Sequence, residues 1–210
     1  GSDPDDSNDI TTGDTINIAF EDCVEDGVTV DGSISMAVTD ISAGFDGTPP
    51  YELDVVATLT NLSVSTSGYS ATSSGDITMG IEDDGSNNET YDLSGSTLTS
   101  TVGGQTVVLT DYRYQFSSNS DSGDYSYDLQ GTLASAAIDG KVSYTTTTPF
   151  AGTDPDNPTA GELHVTGANG SQAWVTADSD GATVYIDVDA DGDDTAETQI
   201  TSSWTELESL

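Results

Sequence analysis

The stretch Tyr112-Arg113-Tyr114-Gln115-Phe116, answered after the polar loop Ser117 to Asp124 by Tyr125-Ser126-Tyr127-Asp128-Leu129, decides the fold class. In both arms large apolar side chains alternate with polar ones, the period of a strand that buries one face. The loop between them is rich in Ser, Asn, Asp and Gly, so the two arms read as a hairpin. Setting Tyr125, Tyr127 and Leu129 against Phe116, Tyr114 and Tyr112 gives an aromatic cross-strand ladder. Packing is the first use of such rings, and an exposed stacking platform is the other.

Outward from this hairpin the same grammar continues. Thr, Val, Tyr and Ile recur with period two between Gly-containing turns, and no window carries a helical apolar face. The spacing predicts about twelve strands, near residues 15–20, 27–38, 51–64, 70–81, 89–99, 105–116, 124–136, 141–148, 161–167, 171–178, 182–189 and 196–205. Tyr91-Asp92-Leu93-Ser94-Gly95 echoes Tyr127-Asp128-Leu129-Gln130-Gly131, but the period is not sustained, so repeated hairpins are expected and not a solenoid. The expected fold is all-β, an antiparallel hairpin meander forming a soluble sandwich or up-and-down barrel with a Thr-rich face in water. A transmembrane barrel is disfavoured, because the outward positions carry Ser, Thr and Asp where lipid would require an apolar band.

Turn chemistry predicts registers. A two-residue turn at Asp139-Gly140 would set Ile138 opposite Lys141, with Leu133, Ser135 and Ala137 sharing a face with Val142, Tyr144 and Thr146. Turns at Asn169-Gly170 and Asp180-Gly181 would group Ala173, Val175 and Ala177 with His164, Thr166, Val184, Ile186 and Val188, leaving Val165, Trp174, Tyr185 and Asp187 opposite. Pro149, Pro155 and Pro158, with the polar run Gly152 to Thr159, mark a crossover. The organisation read from this is an acidic flexible tether over 1–13, a main β domain over 14–150 and a C-terminal meander over 151–210 packed on it.

Charge bounds the environment. Asp and Glu number 38 against two cations, Arg113 and Lys141, and one histidine, a formal charge of −36. Like charges in such excess repel one another and call for salt or bound cations, which suits salty water outside the cell. Nucleic acid is excluded as a partner, since too few cations exist to displace counterions from phosphates, and anionic membrane surfaces are equally unsuited. Cys23 is the lone cysteine, so no internal disulfide forms, and beside Phe20 and Val24 it reads as a small buried hydrophobe. No apolar run approaches the ~20 residues of a membrane helix.

One segment carries specific chemistry. In Asp187-Val188-Asp189-Ala190-Asp191-Gly192-Asp193 alternate carboxylates converge where a tight Gly turn curls the chain, the arrangement a hard cation such as Ca²⁺ requires. Asp187, Asp189, Asp191 and Asp193 are the expected ligands. Thr198 stands where a calcium loop carries its bidentate Glu, so Glu197 or Asp194 would have to substitute; a solvated acidic hairpin is the alternative. An enzyme is not expected. His164 is the sole histidine, no nucleophile elbow, phosphate loop or zinc-binding helix motif occurs, and the acid pairs Asp83-Asp84 and Asp154-Pro155-Asp156 sit in turns.

Gly161-Glu162-Leu163, Gly167-Ala168-Asn169-Gly170-Ser171, the Asp187 to Asp193 run and Thr201-Ser202-Ser203-Trp204-Thr205-Glu206-Leu207 together resemble a tail of uncharacterised secreted lipoproteins of Gram-negative marine bacteria. The resemblance implies a place at the cell surface or in the periplasm, without any activity. An acidic leader like Asp3 to Asp9 often follows a lipidated cysteine, so outer-membrane attachment by a lipid anchor goes with it. The functional expectation is a non-catalytic structural or adhesion-type module of the envelope that meets a surface protein or polysaccharide and is stiffened by calcium. The alternative is a protein that binds carbohydrate or a small apolar ligand through exposed aromatics, Trp174 and Tyr185 foremost.

Overall fold

The computed structural model describes residues 1–3, 9–42, 48–138, 140–207 and 209. Alternation of β-branched and aromatic residues with Ser, Thr and Asp produces twelve strands. They are β1 (Thr15–Glu25), β2 (Val28–Ile41), β3 (Tyr51–Ser65), β4 (Ser70–Asp83), β5 (Asn88–Val102), β6 (Gln105–Asn119), β7 (Asp124–Ser135), β8 (Gly140–Thr153), β9 (Ala160–Thr166), β10 (Gln172–Ala177), β11 (Thr183–Asp189) and β12 (Thr198–Ser203). Each pairs antiparallel with its neighbours in sequence, giving one meander sheet in the order β1 to β12. β1 and β12 are its two edges, so the barrel alternative is not formed. β9 bonds directly to β8, and the C-terminal meander therefore extends the sheet laterally; Pro149 lies inside β8, and no crossover intervenes.

One face of this sheet is mainly apolar. Across β2 to β7 a row of direct partners runs Val38, Val55, Met79, Leu93, Tyr114 and Leu129, and beside it, across β3 to β8, run Leu53, Ile81, Tyr91, Phe116, Tyr127 and Phe150. Strict alternation would throw half of each long strand to the wrong side, because the apolar residues are not all two apart. Bulges repair the phase. β1 slips between Phe20 and Cys23, β3 between Leu59 and Leu62, and β6 against β7 between Thr110 and Arg113; the inserted residues Asp22, Asn61 and Asp111 take positive φ of 49°, 47° and 47°. Asn and Asp tolerate that left-handed conformation better than other side chains, which is why they stand there.

A single layer buries little. Val38, Ala57, Tyr112, Phe150, Ala177 and Val184 form the buried apolar set, while Ile16, Ile18, Met79, Tyr91, Leu93 and Tyr114 stay more than a third exposed. Burial is densest at the C-terminal end. There the short helix α1 (Trp204–Leu207) returns over the apolar face, and the Trp204 ring meets Phe150 edge-on at 5.9 Å. At the other end Ser2, in the expected tether, pairs with Thr15 of β1 through two backbone hydrogen bonds of 2.9 and 3.0 Å; residues 4–8 of that tether lie outside the described residues.

Registers differ from the turn-based expectation where the turns are longer. Phe116 faces Tyr127 and Tyr114 faces Leu129, two residues away from the expected ladder, so Tyr114–Tyr127 and Phe116–Tyr125 are diagonal neighbours at 6.2 and 6.3 Å. Ala136–Ile138 forms a 3₁₀ turn, so Ser135 faces Gly140 and Leu133 faces Val142; Asp139 of the expected turn lies outside the described residues. Both slips are even-numbered and leave every side chain on its expected face. The β9–β10 slip is odd. A 3₁₀ turn at Ala168–Gly170 pairs Trp174 with His164, so His164 stands on the Trp174 face and Leu163 takes the place beside Val175. The Ala177–Val184, Val175–Ile186 and Ala173–Val188 pairs are as expected.

Tyr112 locks the crease where the strands bulge. Its ring lies over Gly95, and its hydroxyl donates 2.7 Å to the carbonyl of Asp76 two strands away. A side chain at position 95 would overlap both that carbonyl and the Tyr112 hydroxyl, so the glycine is dictated by contact. Gly95→Ala is expected to cost about 2–4 kcal/mol by displacing a buried ring and its hydrogen bond. Chemical denaturation of this variant beside Gly68→Ala, where nothing lies within 4 Å and φ is not positive, checks the assignment; equal losses would show that loss of glycine itself, not the ring contact, sets the requirement.

Candidate functional site

The β11–β12 connection builds the acidic site. Asp189 ends β11 and is fully buried, yet its carboxylate takes part only in hydrogen bonds from the loop beyond it. Oδ1 accepts the Gly192 N–H at 2.6 Å, and Oδ2 accepts the Asp194 N–H at 2.9 Å. These two bonds curl the chain around Asp189, and Gly192 and Asp194 adopt the positive φ, 79° and 66°, that the curl demands. Gly192 also packs against the carbonyls of Asn169 and Gly170, leaving no space for a side chain. Glu197 closes the loop by accepting the Ala190 N–H at 2.8 Å.

Carboxylate oxygens of Asp189, Asp191, Asp193 and Glu197 are thereby brought within 4.8 Å of one another. This group could hold a metal ion. Oxygens bound to one hard cation at about 2.3–2.6 Å fall within about 5 Å of each other, so the spacing is compatible with such an ion. Repulsion is already evident. Asp193, then Glu197, push the Asp191 carboxyl above the usual carboxylate range.

Three of the four expected ligands are in this group, and Asp187 is not. Two residues back along a strand is a displacement of about 6.6 Å, and the Asp187 carboxylate there accepts the Gln199 side-chain amide at 2.8 Å. Glu197, weighed in the sequence as a substitute, takes the vacant role, and Asp194 instead accepts the Gln172 amide at 2.8 Å. Gln172 in turn meets His164 Nε2 at 2.7 Å, and the His164 ring stacks on Trp174 at 5.3 Å and 9°. The histidine is thus tied into a structural relay between loop and ring.

Trp174 and Tyr185 do share the polar face, as expected, on the adjacent strands β10 and β11. One side of the Trp174 ring is covered by His164, and the Tyr185 hydroxyl donates 3.0 Å to Asp178, which raises its pKa. Cys23 is exposed, not buried, because the edge strand that carries it has no second layer above it.

Sequence reading missed the continuity of the apolar face. Troughs lie along it: about 460 Å³ among Ile10, Ile16, Met36, Val38, Leu53 and Val55, about 400 Å³ among Met79, Ile81, Tyr91, Leu93, Tyr114 and Phe116, and about 730 Å³ among Phe20, Cys23, Val24, Val28 and Val30. At the first, Asp14 is nine-tenths buried and keeps Oδ1 without a hydrogen-bond partner. The bulge residues Asp22, Asn61 and Asp111 were the signal, since each marks where alternation must be restarted.

No protein-family model matches the chain, and no curated protein or solved structure is similar to it.

Proposed function

We propose that this chain is a non-catalytic structural or adhesion-type interaction module of the cell envelope, held outside the cytoplasm, with Ca²⁺ stiffening its C-terminal loop. The apolar face carries this reading, because a sheet that exposes large side chains along its length on one side is a surface to be covered by a partner. The acidic balance supports a saline exterior, and the four-carboxylate loop supports calcium over a softer metal, since its side-chain donors are oxygen. The resemblance of the C-terminal third to secreted lipoproteins agrees with an envelope protein or polysaccharide as neighbour. Retention of the purified chain on envelope preparations tests the proposal, with Leu93→Ser as comparison. Wild-type retention reduced about tenfold in the variant is the expected result; retention no greater than that of an unrelated acidic protein overturns it.

A second reading is favoured by one observation. The unpaired Asp14 oxygen beside the trough between Ile16 and Leu53 suits a small apolar ligand that carries a hydrogen-bond donor. Displacement of a fluorescent alkylamine, lost in Asp14→Asn, would move the assignment to this class.

A further inference from the structure

We propose that the occupant of the apolar face is a second copy of this chain, two sheets packing face to face into a two-layer sandwich. The inference rests on reading this face as the interaction surface, and it names the partner.

Area is the first argument. The chain exposes 12126 Å², whereas a compact monomer of 21.6 kDa exposes about 9,200 Å². The surplus, roughly 2,900 Å² per chain, exceeds the ~800 Å² per partner of a standard interface, and the roughly 5,800 Å² it makes for two chains is on the scale of large obligate homodimers. Extent is the second. Strands lie about 4.8 Å apart, so β1 to β7 span about 30 Å, and a ligand filling any one trough would leave most of the face wet. A partner must itself be a broad apolar layer, and this chain is one.

Charge is the third argument. Among the described residues of this face in β1 to β8, carboxylates stand at strand ends, Glu25, Asp83 and Glu89, and beside the β1 margin Asp3, Asp9 and the already buried Asp14 line the first trough. Asp54, Asp92 and Asp128 point the other way. Face-to-face packing centred on β3 to β7 therefore desolvates little acid and sets the two acidic faces outward, separated by the ~10 Å between sheets plus both pleats, beyond a Debye length in molar salt. A two-fold axis also guarantees complementarity, because each row of apolar side chains meets its own copy. The C-terminal third already has partial cover, Trp204 lying on Phe150, so most of the uncovered area lies in β1 through β7, with Ile200 of β12 exposed beyond it.

Sedimentation of the full chain in molar NaCl tests the proposal. Wild type is expected at twice 21.6 kDa. Leu93→Glu with Tyr114→Glu, at the centre of the face, is expected at the single mass, with association weakened at least ~100-fold while β-type circular dichroism is retained. Should that variant not fold, Leu93→Thr with Tyr114→Thr keeps strand propensity and serves in its place. A wild type that stays monomeric at about 100 μM overturns the inference. So does a folded Glu variant that still dimerises, which would place pairing at the β1 or β12 edge. A monomer co-purifying with an acyl chain overturns it too. Monomeric wild type whose envelope retention is still lost in Leu93→Ser would sink self-pairing alone; a dimer with no envelope retention would sink the envelope role alone.

Discussion

Raising NaCl from about 20 mM to about 2 M is expected to lift the melting midpoint of this protein by on the order of 10 °C or more, several kcal/mol for a domain of this size. The source is the charge balance. A formal charge of −36 leaves the folded state full of like charges that the unfolded chain can move apart. Among the described residues one ion pair offsets this, Arg113 Nη2 to Asp92 Oδ2 at 2.6 Å, and it lies on a surface where such pairs contribute little. Hydrogen bonds place other carboxylates but do not neutralise them: Asp76 accepts the backbone and hydroxyl of Ser96, which lowers its pKa, and remains charged. Scanning calorimetry at one protein concentration measures the effect, and KCl should act like NaCl because the mechanism is screening. A midpoint that does not move across this range would show that self-repulsion does not govern stability.

Twelve strands and their order were legible because alternation and Gly turns are local signals, and a meander asks nothing more of topology. Face assignments survived wherever a register error was even. The Phe116–Tyr127 pairing slipped by two and kept its rings on the apolar side, whereas the one-residue slip at Ala168–Gly170 carried His164 across the sheet. A turn's dipeptide does not fix its length, and Asn169-Gly170 sits in a longer loop than the shortest one it could make. A second layer was expected from the general need to cover an apolar face; the strands join in one sheet that does not close, and much of that face stays exposed. In the acidic loop the spacing announced the chemistry, but which Asp begins the loop depended on where β11 ends. Asp187 is still in the strand, bound by Gln199, and Asp189 is the first carboxylate free to turn inward.

That distinction shapes the calcium experiment, because Asp189 and Asp191 should fail differently. Asp189 is buried and accepts two backbone N–H bonds, so Asp189→Ala strands both donors and is expected to cost about 2–4 kcal/mol with no metal present. Asp191 is exposed, and repulsion from Asp193 and Glu197 raises its pKa, so Asp191→Ala is expected to leave the metal-free protein unharmed or slightly more stable. With calcium the order changes. One carboxylate oxygen of Glu197 accepts the Ala190 N–H, so this residue does not act as a free bidentate ligand; calcium affinity is then expected in the weak extracellular class, on the order of 10⁻⁴ to 10⁻³ M, and 10 mM Ca²⁺ should add about 1.4–2.7 kcal/mol to wild type by mass action. Asp191→Ala should lose that increment while keeping the response to NaCl. The pH dependence has a definite sign. A carboxyl whose folded pKa is raised binds protons more readily in the folded state, so metal-free stability gains from this group as pH falls through the raised value. Calcium needs the carboxylate, so its increment fades over that same fall, beginning at a higher pH than for an ordinary Asp. Calorimetric titration at neutral and mildly acidic pH reads both trends, and an equal calcium response in wild type and Asp191→Ala would remove the ion from this loop.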